Sequence, residues 1–150
     1  MHLGLDIAAG MYSELRAPAN GLILYADAPV SDDNGYLGNW CGWPAGGGNT
    51  VCMVVMVNGK LYGVTFAHLS SNIYVYPGQQ VHQGDLLALT GNSGNSTGPH
   101  THVEVFEIHI SLDELITYFS QTADFSFGCG WSAPGISGYA RTRIRPESVF

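Results

Sequence analysis

The sequence predicts a mostly β protein, a twisted antiparallel sheet with one short helix near the C-terminus. Three observations carry that expectation. Two strand-like runs, Val51 to Val57 and Lys60 to His68, are joined by Asn58-Gly59, and Asn-Gly is the dipeptide that two-residue hairpin turns favour because both residues must take positive φ. Two further short apolar runs, Leu22 to Tyr25 and Leu86 to Thr90, follow turn clusters at Ala17-Pro18-Ala19-Asn20-Gly21 and at Gly78 to Asp85. Helical spacing is read at one place, where Leu112, Leu115, Ile116 and Phe119 follow the capping box Ser111-Leu112-Asp113-Glu114.

The remaining segments follow in chain order. His2-Leu3-Gly4-Leu5-Asp6 opens the sequence, and Gly4 argues against a helix there. In an extended segment His2, Gly4 and Asp6 fall on one face, which sets an imidazole beside a carboxylate, both ordinary ligands of first-row metals. Residues 27 to 49 read as a long loop holding Asp32-Asp33-Asn34-Gly35, Tyr36, Trp40, Trp43 and Gly46-Gly47-Gly48. Loops of that length are commonly functional, and these aromatics either wall a substrate groove or cap the core. His68 is expected where the second hairpin strand ends. Gly91 to Gly98 is a polar loop without the glycine spacing or lysine of a phosphate loop.

Gly98-Pro99-His100-Thr101-His102-Val103-Glu104-Val105 comes next. On a strand His100, His102 and Glu104 share one face, while Thr101, Val103 and Val105 turn into a core. Two imidazoles side by side on a rigid strand can share a metal ion and its water. Glu104 then either supports the site from behind or stands in solvent. His82 and His109 are expected on the surface.

A chain of 150 residues fits one domain, and no internal repeat or linker interrupts it. Five Lys and Arg stand against twelve Asp and Glu, for a net charge of −7. That balance provides no basic footprint for nucleic acid or an anionic membrane. No apolar run approaches the roughly 20 residues that span a bilayer. No signal peptide is recognised, so any export signal is expected outside this chain. Cys41 and Cys52 flank the Gly-rich loop and Cys129 lies apart. They form either one bridge, Cys41–Cys52, or three reduced thiols; no C-x-x-C pair suggests a cysteine zinc site.

A catalytic zinc ion commonly takes three protein ligands and leaves one position for water. His2, Asp6 and one of His100 or His102 would supply such a set, with the other histidines left to move protons. Residue types and spacing leave open which member of the pair is the ligand.

These residues, in this order, resemble the lysostaphin/LytM family of zinc endopeptidases, which cut peptide bonds in bacterial peptidoglycan. The resemblance rests on His2-x-Gly4-x-Asp6, Phe66-Ala67-His68-Leu69, Gly78-x-x-Val81-x-x-Gly84-Asp85 and Gly98-Pro99-His100-x-His102, from residue 2 to about 107. It implies that His2, Asp6 and His102 bind Zn2+ and that His68 and His100 are the catalytic pair. It implies one metallopeptidase domain over residues 1–150, with the metal site on one face of the sheet and loops walling a cleft. The family often uses a loop tyrosine to hold the intermediate, and Tyr36 is the candidate here. The expected partner is a peptidoglycan peptide, with no nucleic acid and no membrane, and the expected state is a monomer. The expected location is extracellular or facing the cell wall, either secreted or carried on a phage particle. Two features depart from the family pattern: the first ligand follows Met1 directly, and a helix with a Gly-rich segment is inserted at about 111–143, before Arg145-Pro146. The rival readings are a non-catalytic cell-wall-binding or regulatory module of the same family, and a sugar-uptake phosphocarrier that shares the His-x-Gly-x-Asp and glycine-turn patterns.

Overall fold

The computed structural model describes residues 5–8, 12–28, 49–91, 100–121 and 141–144; within its strands, residues 5–8, 27, 100–102, 104, 106 and 141–144 are described by their backbone. Its elements are β1 (Leu5–Ala8), β2 (Glu14–Arg16), β3 (Gly21–Asp27), β4 (Asn49–Val57), β5 (Lys60–Ile73), β6 (Gln80–Val81), β7 (Leu86–Thr90), β8 (His100–Ile108), α1 (Leu112–Gln121) and β9 (Arg141–Ile144). All nine strands join one antiparallel sheet whose main path runs β1-β8-β5-β4-β3-β6. The expected mostly β, antiparallel architecture with one short helix is therefore present.

Local chemistry explains the hairpin and the glycine turns. Asn58 and Gly59 take φ of 54° and 79°, so Val57 pairs with Lys60 and the two strands separate with the right twist. Gly78 and Gly84 take φ of 89° and 91° on either side of β6, while Val81 between them is buried in the core. Asp85 closes the second turn by accepting the His82 N–H at 2.8 Å. That family-like motif is therefore accounted for by turn geometry.

Strand alternation divides the buried residues between two faces. Val51, Met53 and Val55 of β4, Val64 and Phe66 of β5, and Val103 and Val105 of β8 form the first core together with Ile23, Val81, Leu87 and Ala88. Leu24, Tyr25, Cys52, Val54 and Ile108 look the other way and meet Leu115 of α1, with Leu61, Leu112 and Phe119 packed alongside. The capping box holds the start of that helix: the Glu114 N–H donates to Ser111 Oγ, and Ser111 Oγ donates to Glu114 Oε1, both at 3.1 Å. The segment at 111–143 thus supplies a helix that covers the second face. It then leads into β9, which pairs with residues 105–108 of β8, on the strand whose residues 100–103 pair with β1. Among the described residues no helix is long and apolar enough to cross a membrane.

Two boundaries differ from expectation. β3 extends to Asp27 and β4 begins at Asn49, so both ends of the expected 27–49 loop belong to strands. The second hairpin strand does not end at His68 but continues to Ile73. A change of strand partner within β5 explains this, because β8 pairs with it as far as Ala67 and β7 from Leu69.

Candidate active site

Sheet register assembles the predicted residues. Asp6 of β1 stands opposite His102 of β8, and His102 stands opposite Ala67 of β5 on its other side. Residues directly opposite in an antiparallel ladder share a face, so Asp6, His102 and Ala67 form one row across three strands. His100 is two residues along β8, opposite Ala8, and belongs to the same face by alternation. Val103 and Val105 on the other face are buried in the core, at 6% and 0% exposure, as expected. The row lies on the face that α1 covers at its far end, about 20 Å away by strand rise from Leu61 to Ala67.

His68 follows Ala67 at an irregularity in the ladder. Val51 pairs with Phe66 and Asn49 with Leu69, so Ala67 and His68 together oppose the single residue Thr50. That is a β-bulge, and it breaks the alternation that would otherwise assign His68 to the face opposite Ala67. His68 takes φ of 60° and is buried at 9% exposure. A non-glycine residue held in the left-handed region is sterically disfavoured, and such residues concentrate at functional sites.

The surroundings of the bulge are tightly built. Asn49 Nδ2 donates to the Leu69 carbonyl at 3.2 Å. A Cβ on Gly91 would meet the Ser70 nitrogen at 2.5 Å and the Leu69 carbonyl carbon at 2.6 Å, so only glycine allows the end of β7 to lie this close to β5. One row behind His102 and Ala67, Thr65 Oγ1 donates to Cys52 Sγ at 3.3 Å, and Glu104 stands opposite Thr65. Thr50 Oγ1 is buried with no hydrogen-bond partner among the described residues.

The donor set suits zinc. Carboxylate oxygen and imidazole nitrogen are ordinary zinc donors. Among the described residues no group of three His, Cys, Asp or Glu side chains is assembled to hold a metal. His2, the third predicted ligand, lies outside the described residues, as do Tyr36, Trp40, Trp43 and Cys41. Cys52 is a buried thiol. His82 and His109 are exposed, as expected. A groove of about 370 Å³ opens between α1 and the β3–β6 edge, lined by Leu22, Leu61, Leu112, Ile116 and His82 among others, at the opposite end of the face from the histidine row. Sequence reasoning missed Asn49 and Thr50. Their only signal was two polar residues immediately before an apolar strand.

An antiparallel sheet that sets a carboxylate residue and two imidazole residues on one face, with a third imidazole at an adjoining bulge, has the parts of a metal-dependent hydrolase domain. The chain belongs to Peptidase family M23, whose model matches residues 1–114. It is similar to an uncharacterized metalloprotease of Haemophilus influenzae, with 32% identity over 110 residues that make up 73% of this chain and 19% of that protein. It is also similar to the peptidoglycan DD-endopeptidase ShyA of Vibrio cholerae, with 30% identity over 104 residues, 69% of this chain and 20% of that protein. The chain thus spans about a fifth of the length of these curated relatives. Among solved structures it resembles the catalytic domain of the antimicrobial peptidase lysostaphin from Staphylococcus simulans, with a TM-score of 0.56 and 26% identity over 83% of this chain and 75% of that one.

Proposed function

We propose that this chain is a zinc-dependent endopeptidase domain that hydrolyses peptide bonds in the stem peptides or cross-bridges of bacterial peptidoglycan, acting outside the cytoplasm where that substrate lies. The observation that carries the reading is the ladder position of Asp6 opposite His102, with His100 one pleat away, in a chain of Peptidase family M23. The names of ShyA and lysostaphin support the substrate and the reaction.

His2, Asp6 and His102 would hold the zinc ion. When bound, zinc supplies Lewis acidity that lowers the pKa of water toward neutrality and polarises the scissile carbonyl. His68 and His100 handle the proton. A neutral imidazole accepts it as water adds to the carbonyl carbon and returns it to the amine nitrogen as the C–N bond breaks. One water is consumed, and one carboxylic acid and one amine are released. While protonated, the same imidazole stabilises negative charge developing on the carbonyl oxygen.

Purified cell walls of several cross-bridge types, digested with and without a zinc chelator, test this reading. Mass spectrometry is expected to find new amino termini that disappear with chelator, and their sequences name the bond that is cut. A zinc-loaded protein that releases no fragment from any wall would overturn hydrolysis and leave a wall-binding module.

A further inference from the structure

We propose that Asn49 is a positioning residue for His68, holding the backbone conformation in which His68 does its proton transfer. The inference rests on the catalytic reading of His68 above and adds a residue that neither the sequence motifs nor the family resemblance assigns.

On the near side of the bulge, β5 is fastened by the ladder pairs of Phe66 with Val51 and Val103 and of Ala67 with His102. On the far side, Leu69 pairs with Asn49 and with Thr90. From Phe66 to Leu69 β5 takes three steps, while from Val51 to Asn49 β4 takes two. With both ends fastened, the surplus residue has to be absorbed between them, and His68 absorbs it at φ 60°. A residue with a Cβ stays in that region only where its surroundings over-determine it.

The far fastening is where a side chain takes part. Asn49 is fully buried, and its Nδ2 donates to the Leu69 carbonyl, one peptide beyond His68. Gly91 closes against the same peptide from β7, where any Cβ would collide with it. The Leu69–Ser70 peptide is thereby clamped between an amide on β4 and the bare backbone of Gly91, just past β7. Asparagine is a poor strand former, and a buried one in a strand is explained by what it bonds, here the carbonyl that anchors the bulge.

The test uses the zinc-loaded full chain with the substitutions Asn49→Ala and Asn49→Thr. Threonine is β-branched and suits a strand, but its hydroxyl is too short to reach the Leu69 carbonyl, so it keeps the strand while removing the bond. On soluble cross-linked muropeptide dimers, kcat is expected to fall by about ten- to a hundredfold, the range that small misplacements of a catalytic group produce. KM is expected to stay within about twofold and zinc content to stay unchanged. The three-bond HN–Hα coupling of His68, read by NMR, is expected to leave its wild-type value. Ser111→Ala, which weakens the distant helix cap, controls for lost stability and is expected to leave kcat unchanged. An unaltered kcat with an unaltered His68 coupling would overturn the proposal, as would an equal loss of kcat in Ser111→Ala. If the wild-type protein cleaves no dimer, the catalytic reading fails instead. The His68 coupling then decides by itself whether Asn49 holds the bulge.

Discussion

His102 stands opposite Ala67, the residue before His68, but the two histidines are given different tasks, and substitution separates them. His102→Ala removes a proposed zinc ligand and is expected to lose both bound metal and cleavage. His68→Ala is expected to keep stoichiometric zinc while losing cleavage, a pair of outcomes read by metal analysis alongside wall digestion. A His102→Ala protein that still cleaves would sink the ligand assignment. Thr50, opposite the bulge, has a buried hydroxyl with no hydrogen-bond partner among the described residues. Leaving such a group unsatisfied costs free energy, and an isosteric apolar replacement relieves that cost. Thr50→Val is therefore expected to raise unfolding stability by about 1 kcal/mol in urea titration, with no change in zinc content.

At the scale of elements, α1 is held at its start by Ser111 and along its length by Leu115, which is fully buried against the second face. Ser111→Ala removes the cap and is expected to cost about 1 kcal/mol. Leu115→Ala opens a cavity between helix and sheet and is expected to cost roughly 2–5 kcal/mol. Denaturant midpoints order the two, with the larger shift expected for Leu115→Ala. Capping box, helical spacing and Asn-Gly turn were all legible in the sequence because each is decided within a few residues of chain. The continuation of β5 past His68 was not, because it depends on β7 taking over the edge that β8 leaves, and neither strand is near in sequence to the residues that bulge.

At the scale of the whole molecule, the family match ends at residue 114, while most of α1 and all of β9 lie beyond it. These elements nonetheless pack on the sheet: α1 covers Leu24, Tyr25, Val54 and Ile108, with the Tyr25 and Phe119 rings stacked at 6.3 Å, and β9 occupies part of the edge of β8. A chain cut after Ser111 would expose that apolar face and leave residues 105–108 of β8 unpaired on that side, both of which favour association. Such a chain is expected to bind a hydrophobic dye, to unfold at lower denaturant and to aggregate at concentrations where the full chain does not. Dye fluorescence and light scattering check this.

The sequence by itself determined the mostly β class, the hairpin turn, the capped helix and the set of histidines and the aspartate that could serve a metal site, each from local backbone preference, from a two-residue side-chain period or from the chemistry of particular residue types. Which of them are ligands and which are bases is what the family resemblance implies. Only the tertiary structure decided that Asp6 lies across from His102, that His68 sits in a bulge rather than at a strand end, and that Arg141–Ile144 pair with β8 as a further strand. The physical reason is the same in all three cases. Register between strands distant in sequence is chosen by which apolar faces bury together, and a bulge appears where two such pairings disagree by one residue.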